Sequence, residues 1–246
     1  MSERADLYLV KAGIAASRSE AQAAIAAGRV SADGVRVLKA SQKLRDGASI
    51  QYAPAHPYVS RGGVKLAAAL DAYGLSPENL VCLDIGASTG GFTEVLLGRG
   101  AARVYAIDSG HGQLHPRVAQ DPRVIAHEGL NARALSRAQV PEPPQVLVAD
   151  VSFISLTVAL PGALSLAAPG AWGVFLVKPQ FEAGSENVPR DGVIKDEKLR
   201  RSALAAIETF LMRSGWDILG SMESPIEGGE GNREYLLAAR KKLAKA

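Results

Sequence analysis

From residue 80 onward the chain repeats one pattern: a short apolar run ends at a glycine, a carboxylate or a lysine and gives way to a longer segment of mixed polarity. The runs are LVCLDIG, ARVYAID, RVIAHEG, PQVLVADVS, WGVFLVK, WDILGSM and REYLLAAR. Bounded by turn residues and too short for buried helices, they read as strands. Those near residues 81, 103, 124, 146 and 173 are separated by helix-length segments, which predicts an α/β fold, a mainly parallel sheet with helices on both faces. Such sheets bind ligands at the carboxyl ends of their strands.

The first 52 residues follow different rules. Leu7, Leu9 and Val10 mark a short helix stopped by Gly13, and Ser17 and Glu20 have capping-box spacing at the start of a second helix that Gly28 ends. RVSADGVRV predicts a hairpin turning at Asp33-Gly34, with a further strand at ASIQY. This is a small α+β domain. APAHPYVSRGG, residues 53–63, is punctuated by proline and glycine and reads as a linker, so the boundary is placed at 1–57 and 58–246.

Residues 151–177 carry no charge and are nominally long enough to span a bilayer, but Pro161-Gly162 and Pro169-Gly170 cut them into a strand end, a buried helix, a turn and a buried strand. MSERADLYLV lacks the layout of a signal peptide. Cys82 is the one cysteine, which excludes an internal disulfide, and His56, His111, His115 and His127 are not at zinc spacing. A reduced, cytoplasmic, metal-free protein is expected. The net charge of +3 is unevenly spread: residues 1–60 hold 8 Lys and Arg against 5 Asp and Glu, which places an anionic partner there. An ordinary solvated surface is the alternative.

The strand ends carry the candidate chemistry. In LDIGASTGGF, Gly86, Gly90 and Gly91 permit a tight turn close to a ligand, although the spacing is not that of a dinucleotide fold. Asp108 ends the next strand, where a carboxylate can accept from ribose hydroxyls, and Asn131 follows the third, within reach of an adenine edge. A helix cap and a turn residue are the plainer roles of these two. Asp150 and Lys178 end the fourth and fifth strands and can meet over one crevice; Lys65, after SRGG, and Glu234, in GNREYLL, are two more candidates. A structural ion-pair network explains the four equally well.

SRGGVKL, LDIGASTGGFTE, DSGHGQL, ADVSFISL, VKPQFE and GNREYLL, in this order, resemble the TlyA (hemolysin A) family of ribosomal RNA 2'-O-methyltransferases, whose catalytic half is similar to the FtsJ RNA methyltransferases. The first 52 residues resemble that family's RNA-binding domain of the ribosomal protein S-four type. The resemblance implies a Rossmann-like methyltransferase sheet and an S-adenosylmethionine pocket formed by Asp84, Gly86, Ala87, Ser88, Gly90, Gly91, Phe92, Asp108, Asn131 and Asp150. It implies a catalytic tetrad of Lys65, Asp150, Lys178 and Glu234, with ribosomal RNA as the partner, gripped by Arg4, Arg18, Arg29, Lys39 and Arg61. The family more often has valine after the aspartate where this chain has Asp108-Ser109.

Methyl transfer to a ribose needs the 2'-hydroxyl held in line with the methyl group and relieved of its proton. Lys178 is read as the general base or the oxyanion-stabilising group, and both roles stay open. A non-catalytic RNA-binding or ribosome-assembly protein is the second reading, and a membrane-active hemolysin the third.

Overall fold

The structure is a computed structural model, which describes residues 2–15, 17–228 and 231–243. The chain divides into two compact units, Met1–Pro57 and Tyr58–Ala246.

In the first unit, β1 (Ser2–Arg4) leads into α1 (Ala5–Lys11) and α2 (Arg18–Ala26), followed by β2 (Val30–Ala32), β3 (Val35–Arg36), β4 (Lys43–Arg45) and β5 (Ile50–Tyr52). The Ser17 hydroxyl caps α2 by accepting from the Glu20 amide. Asp33 and Gly34 take φ of 51° and 79°, the two-residue turn that lets β2 pair with β3, and β5 joins on the other side of β2. The antiparallel pair of β1 with β4 had no signature in the sequence. Ala5, Leu9, Ala24, Ile25, Val30 and Leu44 close a core of their own.

The second unit begins with α3 (Arg61–Tyr73), then β6 (Val81–Ile85), α4 (Gly91–Gly98), β7 (Arg103–Ile107), α5 (Pro116–Ala119), β8 (Val124–His127) and β9 (Val146–Ala149). It continues through α6 (Leu156–Ala159), α7 (Pro161–Leu166), β10 (Trp172–Val177), α8 (Pro179–Glu182), α9 (Glu197–Arg213), β11 (Trp216–Glu223) and β12 (Tyr235–Lys241). The sheet order is β11-β12-β10-β9-β6-β7-β8. The strands from β10 to β8 are parallel to their neighbours, whereas β12 is inserted antiparallel between β10 and β11. Alternation along each strand feeds two layers: Cys82, Val104, Val148, Val174 and Leu176 pack toward α3 and α4, and Ile85, Ile107, Leu147, Phe175 and Val177 pack toward α6, α7 and α9.

Three expectations are corrected. The helix after the linker starts at Arg61 rather than behind SRGG, so Gly62 and Gly63 lie in its first turn and Lys65 one turn in. The β7–β8 crossover holds only the four-residue α5, and β8–β9 only a 3₁₀ turn at Ala132–Ala134, because Gly110 and Gly112 before α5 with Pro122 after it, and Pro141, Pro143 and Pro144 in the other, interrupt helix. ARKKLAKA, read from sequence as a frayed end, starts as strand: β12 reaches Lys241, whose ammonium donates to the carbonyls of Leu164 and Ala167, and residues 244–246 lie outside the described residues.

Candidate active site

Asp150 directly follows β9 and Lys178 directly follows β10, adjacent parallel strands, and the Lys178 ammonium meets Asp150 Oδ1 at 2.7 Å. It also donates to Ser152 Oγ at 2.8 Å. Pro179 begins α8 directly behind Lys178, so the strand stops there and the side chain stays at its rim. Because β12 runs against its neighbours, its amino end lies at the carboxyl ends of the parallel strands: Val177 pairs with Tyr235, which puts Glu234 one step beyond the ladder, beside Lys178. Lys65 comes from the buried face of α3 and donates to Glu234 Oε2 at 2.5 Å, with side-chain exposures of only 8% and 3% for this pair. The four predicted side chains thus stand at one rim of the sheet as two ion pairs.

Next to them lies a cavity of about 510 Å³, at the carboxyl ends of β6, β7 and β9, with Gly86, Ser88, Asp108, Gln113, Asn131 and Asp150 in its wall. A smaller one of about 190 Å³ shares Gly86, Ser88, Asp150 and Ser152 with it and adds Ser60, Gly91, Phe92 and Lys178. Gly86 has φ 81°, and a Cβ there would stand 2.4 Å from the Asp150 carbonyl oxygen; only glycine lets the turn after β6 pass that close to β9. Gly91 sits under α3: a Cβ there would stand 3.0 Å from the Gly63 amide nitrogen and would push the Ser60 hydroxyl aside. Asp108 organises this loop: its two oxygens accept from the amides of Ser88 and Gly110, each at 2.7 Å. Asn131 Oδ1 accepts from the Arg133 amide, so the plainer turn role is present alongside its place in the cavity wall. Ala87 is buried in the same turn, and Phe92 packs in the α3–α4 layer.

Asp84 is fully buried on β6, with Oδ2 accepting from the Thr93 hydroxyl at 2.6 Å and Oδ1 without a partner among the described residues. Burial pushes its carboxyl up to about 7, the Thr93 hydroxyl opposes this and the Asp150 charge adds to it. Above the ordinary carboxyl value of about 4 the unfolded chain has released a proton that the folded chain still holds, so this group's contribution to stability falls from about pH 4 to about pH 7 and then levels. Asp84→Asn is expected to remove that slope. Melting curves of both proteins across this range check it, and a difference between them that does not vary with pH would count against it.

The predicted RNA-binding residues divide into two kinds. Arg4 and Arg18 flank the buried Asp6, at 2.9 and 2.8 Å, and with Gln22 hold its carboxyl well below the usual range. Their first task is structural, although the Arg18 side chain stays 55% exposed. Arg29, Lys39 and Arg61 are exposed and make no ion pair among the described residues. Sequence reasoning missed Ser152, Ser60 and Thr93, which touch the charged groups or the glycine turn; ADVSFISL, SRGGVKL and TGGFTE carried them in plain view, but a lone hydroxyl has no spacing to mark it.

Cavities at the carboxyl ends of parallel strands, a glycine turn after the first strand of the sheet and an antiparallel β12 define a Rossmann-like methyltransferase of the S-adenosylmethionine-dependent class. The fold is shared with the N-methyltransferase NodS from Bradyrhizobium japonicum in complex with S-adenosyl-L-homocysteine, at 18% identity and a TM-score of 0.52, covering 74% of this chain and 86% of that one. The FtsJ-like methyltransferase model matches residues 58–241 and the S4 domain model residues 3–50, and the chain belongs to the FtsJ-like methyltransferase family. It is 42% identical over 245 residues to the 16S/23S rRNA (cytidine-2'-O)-methyltransferase TlyA of Mycobacterium tuberculosis (strain ATCC 25618 / H37Rv), covering 99% of this chain and 91% of the relative. A solved hemolysin from Streptococcus thermophilus is 39% identical, with a TM-score of 0.78 over 98% of this chain and 89% of that one.

Proposed function

We propose that this protein is a ribosomal RNA 2'-O-methyltransferase that uses S-adenosylmethionine, with the first unit gripping RNA and the second carrying out the transfer. The observation that carries this reading is the pairing of Lys178 with Asp150 at the mouth of the smaller cavity, beside the larger one. Asp108, Asn131 and the Gly86–Phe92 turn suit the cofactor: the carboxylate keeps lone pairs for ribose hydroxyls beyond its two amide contacts, and the wall is mostly small or polar. When bound, S-adenosylmethionine supplies an electrophilic methyl group.

The chain's own residues then have three tasks. Lys178 faces the acceptor from the smaller cavity and either takes the 2'-hydroxyl proton or stabilises the oxygen as it loses that proton. Asp150 and Ser152 fix the direction of its ammonium. Lys65 and Glu234 join α3 to the residue before β12 behind it, in a setting too dry for either charge to stand alone, and their charges set the field in which Lys178 works. A cytoplasmic location and a ribosomal subunit as the substrate follow from this reading. Among the described residues no helix is long and apolar enough to cross a membrane.

The direct test is to incubate the protein with ribosomal RNA from cells lacking the gene and map 2'-O-methyl groups; transfer to no position would reject the proposal. On the same RNA, Arg29→Ala and Lys39→Ala are expected to weaken binding evenly across sequences and to flatten the slope of log affinity against log salt by about one unit each. Unchanged slopes would move the grip elsewhere.

A further inference from the structure

Asn232 is 1% exposed, and both ends of its side-chain amide hold the same stretch of backbone. Nδ2 donates to the Gly192 carbonyl at 2.8 Å and Oδ1 accepts from the Ile194 amide at 3.0 Å. From α9, the buried Arg200 grips the stretch again, donating to the carbonyls of Ile194 and Lys195 at 3.1 and 2.7 Å. This stretch is the return leg of the segment that leaves Lys178 through α8. Just before it, Pro189, Arg190, Asp191 and Gly192 form a turn closed by the Gly192 amide on the Pro189 carbonyl at 2.9 Å. Arg190 stands exposed in that turn, with no hydrogen bond or ion pair among the described residues.

Residues 232–234 are buried, exposed, buried in turn, as in extended backbone, which sets Asn232 and Glu234 on one side about 6.6 Å apart. One short extended piece therefore carries both the partner of Lys65 and the clasp on the 189–195 segment. The cation at the turn is exposed to solvent, the turn is clasped by a residue two positions from Glu234, and a guanidinium fork matches a phosphate.

We propose that Asn232 is a positioning residue for the RNA acceptor: it fixes the 189–194 turn so that Arg190 engages a phosphate beside the nucleotide to be methylated. This rests on the methyltransfer reading above. Asn232→Asp keeps the size and the acceptor for the Ile194 amide, but sets a carboxylate oxygen against the Gly192 carbonyl where a donor is needed.

The experiment uses the full chain and ribosomal RNA from cells lacking the gene. Asn232→Asp is expected to raise KM for RNA about tenfold while kcat changes much less, to leave S-adenosylhomocysteine affinity by calorimetry unaltered, and to speed hydrogen exchange in peptides covering 189–195. Arg190→Ala should raise KM to a similar extent, and the double variant should be no worse than either single one. Multiplying effects in the double variant, or fast exchange at 189–195 with KM unchanged, would overturn the proposal and leave Asn232 a purely structural clasp. If Asn232→Asp fails to fold, an unchanged KM in Arg190→Ala overturns it equally. No transfer by the wild-type protein would reject the methyltransfer reading itself, whereas unchanged exchange in Asn232→Asp rejects the clasp alone.

Discussion

Lys178→Arg is expected to slow single-turnover methyl transfer about 10²-fold or more, and Lys178→Ala at least as much, while S-adenosylmethionine affinity barely moves. Arginine keeps the positive charge opposite Asp150, but a guanidinium does not give up its proton in proteins and presents a planar fork where a compact ammonium fits between Asp150 Oδ1 and Ser152 Oγ. The measurement is transfer to ribosomal RNA with both ligands saturating, with thermal melts run alongside to exclude unfolding. Near-normal turnover by the arginine variant would remove Lys178 as the base and leave it as a charge partner.

Glu234→Ala is expected to destabilise the protein by about 3–5 kcal/mol, because it strands the Lys65 ammonium in a site where the side chain is only 8% exposed. That is a large part of the stability of an ordinary domain. Replacing both partners by apolar residues of similar volume, Lys65→Met with Glu234→Leu, should restore most of it, since no buried charge is then left alone. Activity should not return. Denaturant midpoints report the first outcome and single-turnover rates the second; a stable and active double variant would make this pair scaffolding only.

Much of this arrangement is legible in the sequence because strand ends are local features. Each of the seven strands is announced by an apolar run with a turn residue behind it, and Asp33-Gly34 announces its hairpin. Asp150 and Lys178 could be placed together since both end adjacent runs of one sheet. Lys65 with Glu234 could not: the partners are 169 residues apart, and the sequence offered them as two further candidates with nothing to say that they pair with each other. The β1–β4 pair was hidden for another reason, as strands of three residues leave no alternation to see. Weak crossovers around β8 escaped because spacing measures the length of a segment and is blind to the glycines and prolines that keep it from coiling.

The antiparallel placement of β12 also dictates when the site comes into being. Bringing Glu234 to Lys65 closes a loop of nearly the whole second unit, and the edge strand β11 has no partner in the sheet until β12 pairs with β10. Contacts of such sequence separation are entropically costly and form late. The cofactor turn, by contrast, joins β6 to α4 within a few residues. On the proposed reading, a half-folded chain in which β6, β7 and β9 have paired can thus hold the methyl donor before its acceptor side is complete, and transfer is expected only once β12 is in the sheet. Refolding followed at once by methyl transfer and by tryptophan fluorescence of Trp216, the first residue of β11, would show activity rising with the last step rather than the first.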